Sequence, residues 1–159
     1  MRAGINAVRH VQKRKQRHCA RSFSKGKVGM DYTISNLATS ADLGDAKTLI
    51  IVVGGSSKGL GAAGISQEDE LARAQAIADA CKAKEVTVIA AHLGGSARRG
   101  TLSDQFTNMA LSCADYILAV EDGNEDSLFT DFAVENGIPV TLIYSIADAL
   151  VPMTELFGA

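Results

Sequence analysis

Residues 49–64 read LIIVVGGSSKGLGAAG, and this stretch decides the fold. The apolar, largely β-branched run at 49–53 predicts a strand that is buried on both faces. The glycines that follow allow backbone conformations and close approaches that larger residues would prevent. A buried strand that ends in a glycine-rich loop indicates a parallel sheet, in which ligands bind at the carboxyl ends of the strands.

Outward from this stretch, predicted helices and strands alternate. Ser66 followed by acidic residues is typical of a helix start, and apolar residues at helical spacing continue that helix to about Lys84. Further along, we predict strands at 86–91, 116–120 and 139–144, and helices at 103–113, 127–136 and 145–157, the last with a turn at Pro152. Upstream, we predict an extended stretch at 31–37 and a helical turn at 39–42. The alternation predicts an α/β fold with three layers and a mostly parallel sheet, flavodoxin-like or Rossmann-like.

The first 30 residues differ from the rest of the chain. Residues 1–30 hold nine Lys or Arg and no acid, whereas residues 31–159 hold seven basic and eighteen acidic residues, a net charge of −11. We therefore expect a single domain at 31–159, preceded by a basic segment that is disordered or non-native. Residues 4–11 have a helical pattern and do not resemble a core strand. The sheet has then lost its first strand, or a partner chain supplies it in a homo-oligomer, or the N-terminus is not the natural one.

Charge and cysteine content limit the partners and the compartment. A basic, acid-free segment suits nucleic acid, anionic lipid or an organellar transit peptide, and a nucleic-acid role would depend on that segment alone. No apolar run approaches the roughly 18 to 20 residues that span a membrane. Cys19, Cys81 and Cys113 are widely spaced and form no C-x-x-C motif, so neither a disulfide framework nor a metal site is predicted. A reducing, cytoplasmic setting is expected.

The first glycine-rich loop predicts an anion-binding site. Its ligand-binding candidates are backbone groups and short polar or basic side chains, namely Gly55, Ser56, Ser57, Lys58, Gly59, Gly61 and Gly64. Glycines let the backbone approach a ligand, and the N-terminus of the following helix presents free N–H groups to it. The loop is not a P-loop, because Lys58 precedes Gly59 rather than Ser or Thr.

Residues 59–64 also match the dinucleotide pattern G-x-G-x-x-G, and 55–61 resembles the glycine-rich turn of short-chain dehydrogenases. That resemblance implies NAD(P) as a cofactor. However, no acid lies at the end of the next strand to hold a ribose, and no Tyr-x-x-x-Lys occurs. A nucleotide or NAD(P) cofactor therefore stays an alternative, beside a purely structural loop.

A second glycine-containing loop, HLGGSARRG at 92–100, follows the neighbouring strand. Gly95, Arg98 and Arg99 are expected to bind a phosphate or carboxylate, because two arginines among glycines in an acidic domain suit such a clamp. His92 is the first candidate for a catalytic acid or base; the alternative is a hydrogen-bonded structural histidine.

The loop after the third strand reads EDGNEDS at 121–127. Asp122 and Asp126 are the other catalytic candidates, since carboxylates at a strand end can hold ribose hydroxyls, a divalent cation or a proton. The alternative is a turn followed by a helix cap. The segment 114–140 resembles the closing unit of nucleoside deoxyribosyltransferases, which implies a catalytic acid at Asp131 or Glu135, although the E-x-G-x-A setting of that family is absent.

Three separated motifs together resemble an uncharacterised bacterial family, a domain of unknown function. They are LIIVVGGSSKGLGAAGI at 49–65, HLGGSARRGTLSD at 92–104 and EDGN at 121–124, and the resemblance covers about 31–157. It implies a Rossmann-like single domain without an assigned activity. It also implies an apolar first strand that ends in a Thr-Ser-Ala-Gly turn, from which residues 1–30 depart.

These observations favour a small-molecule binding protein whose site for a phosphate, a carboxylate or a nucleotide lies at the carboxyl ends of parallel strands. Whether it catalyses a reaction is left open. The alternatives are a nucleotide- or NAD(P)-dependent enzyme and a regulatory protein-interaction module.

Overall fold

Alternating strands and helices build the domain, as seen in a computed structural model that describes residues 6–10, 32–55 and 57–157. Within these residues the strands are β1 (Asn6–His10), β2 (Tyr32–Ser35), β3 (Thr48–Val52), β4 (Thr87–His92), β5 (Tyr116–Val120) and β6 (Val140–Ile143). The α-helices are α1 (Ser57–Ala63), α2 (Gln67–Ala83), α3 (Thr101–Leu111), α4 (Leu128–Asn136) and α5 (Leu150–Phe157).

The six strands form one sheet in the order β2-β1-β3-β4-β5-β6. β3 to β6 are parallel, with Ile50 opposite Ile89 and Ala90 opposite Ile117. β1 runs antiparallel to both of its neighbours, β2 and β3. The predicted α/β class with a mostly parallel sheet is confirmed.

Helices cover both faces of the sheet and complete three layers. Because β3, β4, β5 and β6 follow one another across the sheet, right-handed crossovers place α2, α3 and α4 on the same face. Their apolar side chains, such as Ile77, Phe106 and Phe129, pack on one set of strand residues that includes Ile51 and Ile117. On the other face, Met153 of α5 packs against Ile50, Ile89 and Leu118. Alternate residues of each central strand thus face two separate cores, which explains the continuous apolar runs in the sequence.

The N-terminal segment contains a strand where the sequence suggested a helix. Asn6–His10 lies between β2 and β3, with Val8 opposite both Ile34 and Ile50. The helix interpretation of residues 4–11 was therefore wrong, and so was the view that no strand of the core sheet lies there. The physical reason is that the buried strand β3 must pair its backbone N–H and C=O groups on both sides. An antiparallel strand takes the position that a parallel first strand was expected to fill. The remainder of the basic segment, at 1–5 and 11–30, lies outside the described residues.

Two further local predictions need correction. The glycine-rich stretch at 54–64 is not a continuous loop, because Ser57–Ala63 forms α1 and Gly64, at φ 67°, ends it. Pro152 does not make a turn but lies in the first turn of α5, where its missing N–H would have had no helical partner. The start of α2 is as predicted: the Ser66 hydroxyl accepts from the Asp69 amide at 3.0 Å and caps the helix.

None of the helices described here has the length and apolar character needed to cross a lipid bilayer.

Candidate functional site

The candidate site lies at the carboxyl ends of β3, β4 and β5, where three loops meet. All predicted site residues except Ser56, which lies outside the described residues, fall at the end of β4, on these loops or on the helices that follow them. Because parallel strands end at the same edge of a sheet, loops that are distant in the sequence become neighbours here.

Ser103 joins the first two loops. The Gly55 amide donates to Ser103 Oγ at 3.1 Å, and Ser103 Oγ donates to the Gly55 carbonyl oxygen at 3.2 Å. A Cβ at Gly55 would lie 3.0 Å from the Phe106 ring and 3.1 Å from Leu102, so a larger residue would have to push these side chains aside. Sequence reasoning missed Ser103, although it lies in the quoted motif HLGGSARRGTLSD. The Gly55 amide, predicted to face a ligand, is already paired within the protein.

The first turn of α3 is uncapped. Its N-cap residue is Gly100, which has no side chain to accept a hydrogen bond. Among the described residues, the amides of Thr101, Leu102 and Ser103 donate to no acceptor. Ser103 belongs to this turn, so the uncapped amides lie beside the Gly55 loop.

The predicted ligand groups of the first loop are distributed along α1. Ser57 and Lys58, at the start of the helix, are exposed, as are Gly61 and Gly64 near its end, whereas Gly59 is buried. Lys58 forms no ion pair with any residue that the structure describes. Of the predicted first-loop side chains, Ser57 and Lys58 therefore have the exposure that binding requires.

Arg99 ties two loops together and is not free to clamp a ligand, contrary to the sequence prediction. Its Nε donates to Asp104 Oδ1 at 2.8 Å, its Nη2 donates to Asp126 Oδ2 at 2.7 Å, and its Nη1 donates to the Gly123 carbonyl oxygen at 2.5 Å. The guanidinium also lies 5.7 Å from the centroid of the Phe129 ring. The hydrogen bond from Arg99 lowers the pKa of Asp126 to about 2. Asp126, a predicted catalytic candidate, is therefore an ionised partner of Arg99.

Arg98 has a different environment. It is exposed, and its guanidinium forms no hydrogen bond or ion pair within the described part of the chain. Its aliphatic carbons lie over Gly94, where an added Cβ would be 2.1 Å from Arg98 Cγ. Arg98 is thus the arginine that can reach a ligand.

His92 is buried beneath these loops. It is 1% exposed, and its ring packs against Phe129 with centroids 5.1 Å apart. Nε2 lies 3.3 Å from the Arg98 carbonyl oxygen, which can only accept, so Nε2 carries the proton. Nδ1 has no partner among the described residues and lies against Gly123, where an added Cβ would be 3.0 Å away. Burial, and secondarily the charge of Arg99, lower the pKa of His92 and favour the neutral imidazole. Its unpaired Nδ1 is shielded from solvent here.

Asp122 lies at a second, open part of the same edge. The Ser96 hydroxyl donates to Asp122 Oδ2 at 3.3 Å. Gly95, against which the Asp122 carboxylate packs, has φ 57°, a conformation that favours glycine. Beyond it opens a cleft of about 640 Å³, which we call the acidic cleft; it is lined by Glu121, Asp122, Asn124, Glu125, Leu142 and Tyr144. Sequence reasoning missed Leu142 and Tyr144 because they come from β6 and the residues after it.

The acids suggested by the deoxyribosyltransferase resemblance are not part of this arrangement of loops. Asp131 and Glu135 are exposed on α4, one and two turns from its start. In the described part of the chain, no three His, Cys, Asp or Glu residues are grouped so that they could hold a metal ion.

The fold and this edge define a three-layer α/β domain with loops that converge at the carboxyl ends of a parallel sheet. Residues 19–157 match the profile of a family described as a domain of unknown function, DUF6305, and the chain belongs to that family. The match confirms the resemblance to an uncharacterised domain family, and it begins within the basic segment. No curated protein and no solved structure matches the chain significantly.

Proposed function

We propose that the protein binds a small molecule with a phosphate or carboxylate group at the carboxyl ends of β3 and β4. The observation that carries the proposal is the Gly55–Ser103 pair of hydrogen bonds. It holds the loop that leads into α1 against the uncapped first turn of α3.

The electrostatics of this corner suit an anion. Unpaired N–H groups at a helix start carry partial positive charge and bind carboxylate or phosphate oxygens. Thr101 and Leu102 supply such amides, and Lys58 at the start of α1 and Arg98 on the second loop are exposed cations of the adjoining segments. The domain is otherwise acidic. Exposed cations beside the start of α3 therefore make this part of the surface more attractive to anions than the remainder.

The proposal assigns binding rather than a reaction. Asp126 is paired with Arg99, and the unpaired nitrogen of His92 is shielded from solvent, so neither of these two catalytic candidates is available to the proposed ligand. Arg99 organises the site by holding the second and third loops together. Cys81 and Cys113 are free thiols, which agrees with the cytoplasmic setting that we propose for this role.

Thermal unfolding with a ligand panel tests the proposal. The panel contains inorganic phosphate, sugar phosphates, small carboxylates, nucleotides, NAD(P) and divalent cations. A ligand at about 100 times its Kd adds about 2.7 kcal/mol to the free energy of unfolding, which shifts Tm visibly. We expect an anion to stabilise the protein and the Arg98→Ala and Lys58→Ala variants to lose most of that shift.

Lys82→Ala is the matched control, because Lys82 is an exposed cation near the end of α2, where β4 begins, and therefore lies at the amino ends of the strands. A stabilising effect of anions that Lys82→Ala reduces as much as Arg98→Ala would indicate general charge screening. Cooperative unfolding with no response to any anion would contradict the proposal.

A nucleotide or NAD(P) ligand is the second candidate, and the position of Asp122 favours it. Asp122 contacts the Gly95 loop and keeps its carboxylate at the surface, one loop away from the proposed anion site. A carboxylate in such a place can accept hydrogen bonds from ribose hydroxyls. We expect Asp122→Asn to weaken a nucleotide while leaving inorganic phosphate unaffected; equal binding of a nucleotide by both proteins would count against the ribose contact.

A further inference from the structure

The acidic cleft combines exposed apolar side chains with unpaired carboxylates. Tyr144 is 86% exposed and Leu142 is 37% exposed, and both line the cleft beside Glu121, Asp122 and Glu125. Within the described residues none of these three carboxylates forms an ion pair. A surface with these two properties suits a partner that is both cationic and apolar.

The charge of the surrounding chain strengthens this preference. Residues 100–159 contain ten Asp or Glu and no Lys or Arg, so no lysine or arginine of this segment offsets the carboxylates of the cleft. The nearest arginine in sequence, Arg99, is already paired with Asp104 and Asp126. The resulting negative potential attracts cations and repels anions, which separates the cleft from the proposed anion site over β3 and β4.

The backbone next to the cleft favours an extended partner. β6, which contributes Leu142, pairs with β5 alone in the described sheet and therefore forms its edge. An edge strand presents N–H and C=O groups to which another extended segment can add. Further exposed apolar side chains follow β6 closely, with Ile146 at 48% and Val151 at 62%.

We propose that β6 and the acidic cleft form a docking surface for an extended segment of another protein in which Lys or Arg alternates with apolar residues. Its cations face Glu121 and Glu125, its apolar residues contact Leu142 and Tyr144, and its backbone extends the sheet beyond β6. This surface is independent of the anion site, so the Lys58→Ala and Arg98→Ala variants bind the partner as the wild type does.

Fluorescence anisotropy with three labelled peptides on the full chain tests the proposal. The probes are short peptides of alternating Lys and Val, of alternating Lys and Ser, and of alternating Glu and Val. We expect the Lys–Val peptide to bind at least about tenfold more tightly than the Lys–Ser peptide, and the Glu–Val peptide not to bind.

Two surface variants and two matched controls locate the binding. We expect Glu125→Lys and Tyr144→Ser each to weaken the Lys–Val peptide by about tenfold. Glu135→Lys makes the same change of charge on α4, and Val134→Ser replaces another exposed apolar side chain there, so both should have no effect. Circular dichroism establishes that all four variants are folded.

Equal binding of the Lys–Val and Lys–Ser peptides, or equal loss in the control variants, would reduce the effect to general charge attraction and overturn the proposal. No binding of any peptide would overturn it as well. Concentration-dependent self-association that Tyr144→Ser abolishes and the Lys–Val peptide does not compete would assign the surface to a second copy of the chain instead.

Discussion

Arg98 and Arg99 are adjacent in the sequence but differ in what surrounds them. Arg99 is held by Asp104, Asp126 and the Gly123 carbonyl oxygen, whereas the Arg98 guanidinium extends into solvent. Consecutive residues in an irregular segment point in different directions, so only one of two such arginines can turn inward. The sequence predicted that both arginines bind a ligand. In the structure Arg99 has a structural role, and Arg98 is the binding candidate.

At this scale we predict that Arg99→Lys destabilises the protein by about 1–3 kcal/mol, because an ammonium cannot replace the forked hydrogen bonds to carboxylates and carbonyl. The ion pair with Asp126 contributes little to that loss, because the Asp126 side chain is 58% exposed and solvent screens the charges. Urea denaturation measures the change. Arg98→Lys is the matched control and should stay within about 0.5 kcal/mol of wild type; equal effects of the two variants would refute the different roles assigned to them.

At the scale of elements, the glycine-rich stretch works by bringing β3, α1 and α3 together. Gly55 packs closely against Phe106 and Leu102, and Ser103 forms hydrogen bonds with both backbone groups of Gly55. The glycine at position 55 therefore has a structural role, which is to allow close packing against α3, in addition to any contact with a ligand. A helix in place of a continuous loop at Ser57–Ala63 follows from the same packing, since Leu60 is buried in the core.

We predict that Ser103→Ala lowers the free energy of unfolding by about 1–2 kcal/mol, because the half-buried Gly55 amide and carbonyl both lose their side-chain partner. Ser112→Ala is the control: this exposed hydroxyl donates only to the Met109 carbonyl at 2.7 Å, and we expect a change within about 0.5 kcal/mol. Ser103→Ala should also weaken any anion found in the ligand panel. Unchanged stability and unchanged anion binding together would mean that the tie to Gly55 does not organise the corner.

At the scale of the whole molecule, the sheet joins segments from both ends of the chain. β1 is placed between β2 and β3, and it is the element that closes the apolar strand β3 on its second side. Charge also differs along the carboxyl ends of the strands. Lys58 and Arg98 lie over β3 and β4, and the acidic cleft lies over β5 and β6. The two sites that we propose would therefore prefer ligands of opposite charge.

For the whole molecule we predict that Val8→Pro lowers the free energy of unfolding by at least about 2 kcal/mol, since proline removes an N–H from a strand with neighbours on both sides. Gln67→Pro, at the first position of α2, is the control and should have little effect, because the first N–H of a helix has no partner within that helix. Thermal and urea unfolding measure both. If Val8→Pro leaves stability unchanged, β1 does not contribute to the folded sheet, and the expectation that residues 1–30 are a disordered or non-native addition is favoured.

The sequence alone determined the class of fold, the strand β3 and the order of elements from α2 onward. Apolar runs such as Leu49–Val53 and caps such as Ser66 act through neighbours a few residues away. Strands and helix starts can therefore be predicted from short stretches of sequence. The family resemblance had the same basis, because its motifs are continuous in the chain.

Tertiary structure alone decided which residues of the candidate site are paired and which are free. Four features depend on partners more than twenty residues apart. They are the strand at Asn6–His10, the tie between Gly55 and Ser103, the pairing of Arg99 with Asp126 and the meeting of Asp122 with Tyr144. Local patterns contain no information on such partners, because a hydrogen bond or an ion pair forms with whatever group the packing of the sheet and helices brings within reach.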